Sequence, residues 1–414
     1  MLYERWRKVA AERRNDFALR DLGSGLCWTF SQLFEAGQSR PIDGRDLLCP
    51  QGQGTGFIVS LLSAWREGKV ACPLDEGQAA AEIPLPPPGC IHLKWTSATT
   101  SGARLVALTA AQLAADAEQI VSAMGLRADW PNLGVISLAH SYGFSNLVLP
   151  LLLHGIPLIL TPSPLPEMVR RVAARESAVT LAAVPALWRA WHEAGGVPPQ
   201  VRLAISAGAP LPLGLERAVY ERSGIKIHNF YGASECGGIA YDAGEKPRLD
   251  PAIAGAAMPG VSLALNSDGC LTVRGPTVGE TYWPEPSEEL AGGTFQTSDL
   301  AELNVSLVYL RGRLGDLINM AGRKVSPETI ERALLAHPLV RECLVFGAPS
   351  PDQKRTDMIV AVVAGDAGET QLKRFLLETL PSWQVPRCWQ FVDALPVGPR
   401  GKISRAEWRR QFTG

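Results

Sequence analysis

Apolar residues recur at helical spacing over residues 3–14 and 54–67, which predicts an amphipathic helix in each stretch. Residues 69–74 form a short apolar run after Gly68, the pattern of a buried strand. The proline-rich stretch 82–89 (EIPLPPPG) cannot form a regular element and reads as a linker. Thr109 and Gln112 stand at capping-box spacing, and apolar residues continue from there to Met124. Apolar runs at 135–139, 179–184, 201–205 and 225–227 then alternate with helical patterns, and several end in turns of small residues. Strands alternating with helices predict a parallel sheet covered on both faces. From Gly255 the texture changes to short strands, 261–265, 271–273 and 307–312, separated by turns, which predicts a β subdomain. Residues 317–414 read as a separate α+β module. Ser326 is its first N-cap with Pro327 at the first helical position, strands fall at 342–346 and 358–363, and a helix over 371–380 is closed by Pro381. The expected class is α/β: a large N-terminal α/β domain with a β subdomain, then a small C-terminal α+β domain.

Length agrees, since 414 residues are too many for one compact core. A net charge of −1 gives no support to nucleic acid as a partner, because domains that bind it usually carry a basic excess. The first twenty residues lack the apolar core of a signal peptide. The most apolar run, 147–160, is too short to span a bilayer and is broken by Pro150, His154, Gly155 and Pro157. It is expected to be a buried helix followed by a strand. The eight cysteines are widely spaced, with no CxxC or Cys/His cluster, so a reducing cytoplasm is the simplest home.

Several stretches carry candidate chemistry. Residues 229–235, NFYGASE, place an aromatic ring, a glycine turn, a hydroxyl and a carboxylate together. Tyr231 offers a flat face for a purine, Gly232 lets the backbone pass close to a ligand, Ser234 can donate to a phosphate, and Glu235 is a hard oxygen ligand suited to Mg²⁺. A strand-end turn with a solvated Glu is the alternative. Residues 93–106 run from a strand into a loop dense in hydroxyls, closed by Arg104. Such a loop can wrap a polyphosphate, and a Ser/Thr-rich surface turn has the same composition. The Walker pattern is absent. His140, where a strand is expected to stop, can face a cleft or serve as a structural residue. Asp299 can cap backbone N–H groups or hold two vicinal sugar hydroxyls, and Lys402 on a Gly/Pro loop is a mobile cation or a solvated side chain.

Taken in order from roughly residue 93 to 405, these stretches resemble the adenylate-forming superfamily of acyl- and aryl-CoA synthetases, luciferases and peptide-synthetase adenylation domains. The phosphate loop resembles residues 96–104, TSATTSGAR, with Thr96, Ser97, Thr99, Thr100, Gly102 and Arg104 as implied ATP contacts. His140 is similar to the family's gate, and Gly208-Ala209-Pro210 to its adenine wall. Asn229, Phe230, Tyr231, Gly232, Ala233, Ser234 and Glu235 resemble its nucleotide and metal motif. Asp299 resembles the ribose ligand, and Arg313 would orient the nucleotide. The resemblance divides the chain into an AMP-binding domain over 1–313, a hinge at 314–316 with Gly315 as the pivot, and a mobile C-terminal lid over 317–414. Gly322 and Arg323 resemble the turn beside the thiol tunnel, and Lys402 the lysine that closes over the site.

The resemblance implies two steps. A small carboxylic acid attacks the α-phosphate of Mg·ATP and releases pyrophosphate; a thiol then attacks the acyl-adenylate, giving a thioester and AMP. Lys402, His140 and Glu235 are the implied catalytic residues, with Mg²⁺ on Glu235. The acceptor is CoA or the phosphopantetheine of an acyl carrier protein, which present the same thiol arm. Ser141 stands where peptide-synthetase domains for α-amino acids usually carry aspartate, which favours an acyl or aryl acid, and Gly208, Gly237 and Gly238 suggest an unobstructed acid pocket. Ala98 and Ser101 replace two glycines usual in the phosphate loop, Arg104 replaces a lysine, and the segment before residue 90 is trimmed. A nucleotide-binding regulator with a degenerate phosphate loop is therefore the alternative to an enzyme.

Overall fold

The computed structural model describes residues 1–41, 44–78, 83–96, 103–320, 322–350, 357–395 and 405–413. A fourteen-stranded sheet runs through the large unit. Its parallel part places Phe17–Asp21, Leu158–Leu160, Asn132–Gly134, Val179–Ala183, Val201–Ser206 and Ile227–Ala233 side by side in that order. Val179–Ala183 is buried at every position, which explains its unbroken apolar sequence: both faces of the strand are covered. On one face Trp188 and Trp191 meet edge to face at 5.1 Å in a core with Val179, Leu181 and Val219. On the other, the helix Ala110–Met124 packs Ile120 and Met124 against Ile205 and Phe230. Both arms of its Thr109–Gln112 capping box form, and it ends at Gly125 in the left-handed conformation.

One expectation needs correction. The strand expected over 135–139 is instead Asn132–Gly134. Beyond Gly134 the backbone turns to side chains: Leu138 N donates to Gln53 Oε1 at 3.1 Å, and Ala139 N to Ser137 Oγ at 3.2 Å. Such side-chain acceptors compete with a strand ladder. The expected β subdomain is present and joins the same sheet. Gly237–Tyr241, Ile253–Ala257, Leu307–Arg313, Thr294–Asn304, Cys270–Arg274 and Ser262–Leu265 extend the same sheet, antiparallel, from Ile227–Ala233. The strand Ile227–Ala233 is thus the seam between the two halves. Its start is held by a buried ion network in which Lys226 pairs with Glu216 and, at 2.6 Å, with Asp242, while Arg248 Nε donates to Glu216 Oε2 at 2.8 Å.

A second sheet of five strands has the order Thr281–Trp283, Leu105–Thr109, Cys90–Trp95, Val70–Ala71, Leu47–Leu48. The C-terminal unit has its own three-stranded sheet, Val340–Pro349, Asp357–Gly365 and Cys388–Val392, and a core of Ile330, Leu334, Val345, Ile359 and Leu376. Ser326 stands at the N-cap of Pro327–Leu335, but its hydroxyl donates to Glu328 Oε2 at 2.6 Å and caps nothing. Leu314–Asp316 is a single 3-10 turn between the units. Just before it, Gly312 has φ +129°, and a Cβ there would lie 2.1 Å from Ser326 Oγ, so only glycine admits this approach of the two units.

Candidate active site

The strand Ile227–Ala233 carries the motif itself, with a register shift between Tyr231 and Gly232, and Ser234, Glu235 and Cys236 form the turn that follows. The motif is therefore part of the sheet rather than a turn after a strand. Tyr231 donates its hydroxyl to Asp299 Oδ2 at 2.5 Å, and Arg313 Nε donates to Asp299 Oδ1 at 2.9 Å. Asp299 and Arg313 face each other in register on neighbouring strands, so the sheet fixes their pairing. Asp299 N donates to Thr297 Oγ1 at 3.0 Å, so Thr297, not Asp299, acts as the local cap. Burial raises the Tyr231 hydroxyl well above its usual range, with the Asp299 charge adding to it, so Tyr231 is the donor in this contact.

Glu235 lies on the turn with its Oε1 accepting from the Tyr282 hydroxyl at 3.0 Å. Burial pushes the Glu235 carboxyl up, opposed by the Tyr282 bond and by Arg104. Arg104 lies over the Tyr282 ring, 3.5 Å from its centre, and reaches Glu289 at 3.1 Å. Thr96 N donates to the Arg104 carbonyl at 2.8 Å and Arg104 N to Thr96 Oγ1 at 2.9 Å, closing the base of the hydroxyl-rich loop. Ser234 Oγ donates to the Trp95 carbonyl at 3.3 Å, which ties the motif to the start of that loop. Tyr282 was not legible as a site residue; it enters because Thr281–Trp283 pairs with Leu105–Thr109.

His140 precedes a short helical turn and holds its Nε2 3.3 Å from Asp75 Oδ2. Gly208 adopts φ +85° in the turn it forms with Ala209 and Pro210 after Val201–Ser206. Asn229 and Phe230 turn into the protein: Asn229 Nδ2 donates to the Ala254 carbonyl at 3.0 Å, and Phe230 is buried beside Tyr142. In the C-terminal unit Gly322 N donates to Asn319 Oδ1 at 2.9 Å, and Arg323 lies over the Trp383 ring. Ser97, Thr99, Thr100, Gly102 and Lys402 lie outside the described residues.

Two of the three glycines taken as signs of an open acid pocket, Gly237 and Gly238, have another cause. A Cβ on Gly237 would meet Asp116 Oδ1 at 2.7 Å, and one on Gly238 would meet Met258 and Phe230 at 3.0 Å. Close packing of Ala110–Met124 against the hairpin, not pocket space, selects glycine there. Asp116 belongs to a buried polar group that composition did not reveal: Lys94 Nζ lies 3.4 Å from Asp116 Oδ2, and Ser145 Oγ donates to the same oxygen at 2.5 Å. An isolated lysine amid the apolar run 90–95 is the signal that marks it.

Glu235 is a hard carboxylate suited to a divalent cation; no group of three or more His, Cys, Asp or Glu that could hold a metal occurs among the described residues. One carboxylate with substrate phosphates is a usual Mg²⁺ set, so the donor fits a metal that arrives with a triphosphate.

Solved structures share this fold: ATP-bound MatB from Rhodopseudomonas palustris aligns with a TM-score of 0.84 at 21% identity, covering 100% of this chain and 99% of that one. The o-succinylbenzoate CoA synthetase MenE from Bacillus subtilis, in complex with an acyl-adenylate, aligns with a TM-score of 0.82 at 20% identity, covering 98% and 97%. At 20–21% identity these likenesses show the fold. Residues 51–283 match the AMP-binding enzyme family and residues 329–402 its C-terminal domain, and the chain belongs to this family. It is 29% identical over 345 residues to a probable 2-succinylbenzoate–CoA ligase of Mycobacterium tuberculosis, covering 77% of this chain and 84% of the relative. It is 27% identical over 346 residues to a feruloyl-CoA synthase of Amycolatopsis sp, covering 77% and 69%. Its match to the uncharacterized acyl–CoA ligase YhfT of Bacillus subtilis, 28% over 254 residues, covers 59% of this chain and spans about half, 53%, of that relative.

Proposed function

We propose that this chain activates a small acyl or aryl acid with ATP and passes the acyl group to the thiol of CoA, releasing AMP. The observation that carries the reading is the convergence of Tyr231, Asp299 and Arg313 with Glu235 and the base of the hydroxyl-rich loop at one seam of the sheet. Asp299 accepts from the two ribose hydroxyls, and Arg313 holds its carboxylate from the far side. Tyr231 presents its ring to the adenine, against the Gly208-Ala209-Pro210 wall. Thr96, Ser97, Thr99, Thr100 and Gly102 cradle the β- and γ-phosphates, and Arg104 adds charge at the edge. Glu235 would hold a Mg²⁺ brought with ATP, which would supply charge neutralisation at the phosphoryl oxygens.

The acid is already an anion at neutral pH, so no general base is needed. One carboxylate oxygen forms a bond to the α-phosphorus as the bond to the bridging oxygen of pyrophosphate breaks. Charge gathers on the α-phosphoryl oxygens, and Lys402 supplies a positioned cation there. His140, tethered to Asp75, borders the acid side. In the second step the thiol attacks the carbonyl carbon beside Gly322 and Arg323, and AMP leaves with the oxygen that came from the acid. Rotation about Gly315 exchanges Lys402 for the thiol channel. CoA as acceptor is supported by the relatives, whose names specify CoA ligases. Eight free cysteines fit a reducing cytoplasm, and no helix among the described residues is long and apolar enough to cross a membrane.

The test is ATP–pyrophosphate exchange across a panel of acyl and aryl acids. Acid-dependent exchange is expected. ATP binding with no exchange for any acid would leave the regulator reading in its place.

A further inference from the structure

Asp299 is held from two directions, and the two holders differ in one respect. Arg313, on Oδ1, is the last residue before the turn Leu314–Asp316. Tyr231, on Oδ2, sits in the seam strand of the large unit, far in sequence from that turn. On the proposed rotation about Gly315, Arg313 would be the anchor next to the moving part and Tyr231 the anchor that stays. The Tyr231 contact is also the shorter one, 2.5 Å, in the range of a charge-assisted O–H···O⁻ bond.

An ionised carboxylate offers about four acceptor sites, two per oxygen. Tyr231 and Arg313 occupy one on each oxygen, which among the described residues leaves one free site on each. Two adjacent acceptors, one per oxygen, match the two donors of a vicinal diol. A carboxylate free to spin about its Cβ–Cγ bond would present that pair in many orientations; one pinned on both oxygens presents it in one.

We infer that the Tyr231 hydroxyl is a positioning residue for ribose recognition: it fixes the Asp299 carboxylate so that its remaining acceptors meet both hydroxyls of a ribonucleoside triphosphate. This role is separate from the ring's face and rests on the reading of Asp299 as the ribose ligand. It assigns the selection of ribo- over deoxyribonucleotides to a pair of residues 68 positions apart.

The test uses the full chain with ATP, 2′-deoxy-ATP and 3′-deoxy-ATP, in Tyr231→Phe and Asp299→Ala beside wild type. Tyr231→Phe keeps the ring and removes the hydroxyl. The KM for ATP is expected to rise about ten-fold, the scale of a lost hydrogen bond to a charged group, while kcat at saturating ATP changes little. The preference for ATP over each deoxy analogue should fall by a similar factor, because the analogues never used both acceptors. That preference is a ratio within one preparation, so a partly inactive variant does not distort it. Loss of preference in both variants supports the inference. Loss in Asp299→Ala alone overturns the role of the Tyr231 hydroxyl and leaves the ribose reading standing. No loss in either removes the ribose reading and the inference with it.

Discussion

Arg405 opens the last helix, Arg405–Thr413, and pairs with three carboxylates. Its guanidinium lies 2.8 Å from Asp316, 3.2 Å from Glu328 and 2.8 Å from Glu331, and its Nε donates to the Val345 carbonyl at 2.8 Å. Arg405→Met keeps much of the volume and removes the charge, leaving three carboxylates crowded together. Arg405 and Glu331 are only 19% and 15% exposed, so the cost follows buried rather than surface pairs. Removing one partner of such a pair costs about 3–5 kcal/mol. Burial already pushes the Glu331 carboxyl above 4.5, with Arg405 opposing it. Without the arginine it rises further. A carboxyl whose folded pKa is raised binds protons more readily folded than unfolded, so its contribution is present below the unfolded value and is lost as pH rises through the folded one. The deficit of Arg405→Met should therefore be largest near pH 8 and shrink towards pH 5. Hydrogen exchange of the strands Val340–Pro349 and Asp357–Gly365 at those two pH values reads it. A deficit below about 1 kcal/mol, the level of exposed pairs, or one independent of pH, would refute this reasoning.

Two further outcomes follow from the site. The Tyr282 hydroxyl favours the ionised form of Glu235, so in Tyr282→Phe the acid limb of the adenylation rate should move to higher pH; a limb that stays in place would detach Glu235 from the reaction. Nothing lies within 4 Å of a Cβ on Gly315, so that atom meets no clash, and Gly315→Pro acts through the backbone by fixing φ at 315 and disfavouring the helical conformation of Leu314. It should release pyrophosphate once per site and fail to form thioester, and normal thioester formation, measured as a separate half-reaction, would place the hinge elsewhere.

Much of this arrangement was legible locally. The capping box at Thr109 and Gln112 and the unbroken apolar strand Val179–Ala183 announce themselves, because their causes lie within a few residues. The 229–235 motif and Asp299 were readable as candidates, and the structure joins them through Tyr231. What could not be read is set by distant partners. Ser137 ends a strand early because Asp75 and Gln53 supply hydrogen bonds from elsewhere in the chain. Glu235 owes its environment to Tyr282, 47 residues away, on a strand whose sheet partner lies before the motif. Gly237 and Gly238 are small because Asp116, Met258 and Phe230 press on them, and sequence alone gave no reason to prefer that over an open pocket.

The most direct measurement follows one oxygen atom. An acid accepted in the exchange assay is prepared with both carboxylate oxygens as ¹⁸O and turned over with ATP and CoA, and the nucleotide product is analysed by mass spectrometry. Attack of the carboxylate on the α-phosphorus, then expulsion of AMP by the thiol, places one ¹⁸O in AMP and none in pyrophosphate. AMP without the label, or label in inorganic phosphate alongside ADP, would contradict an acyl-adenylate on this enzyme.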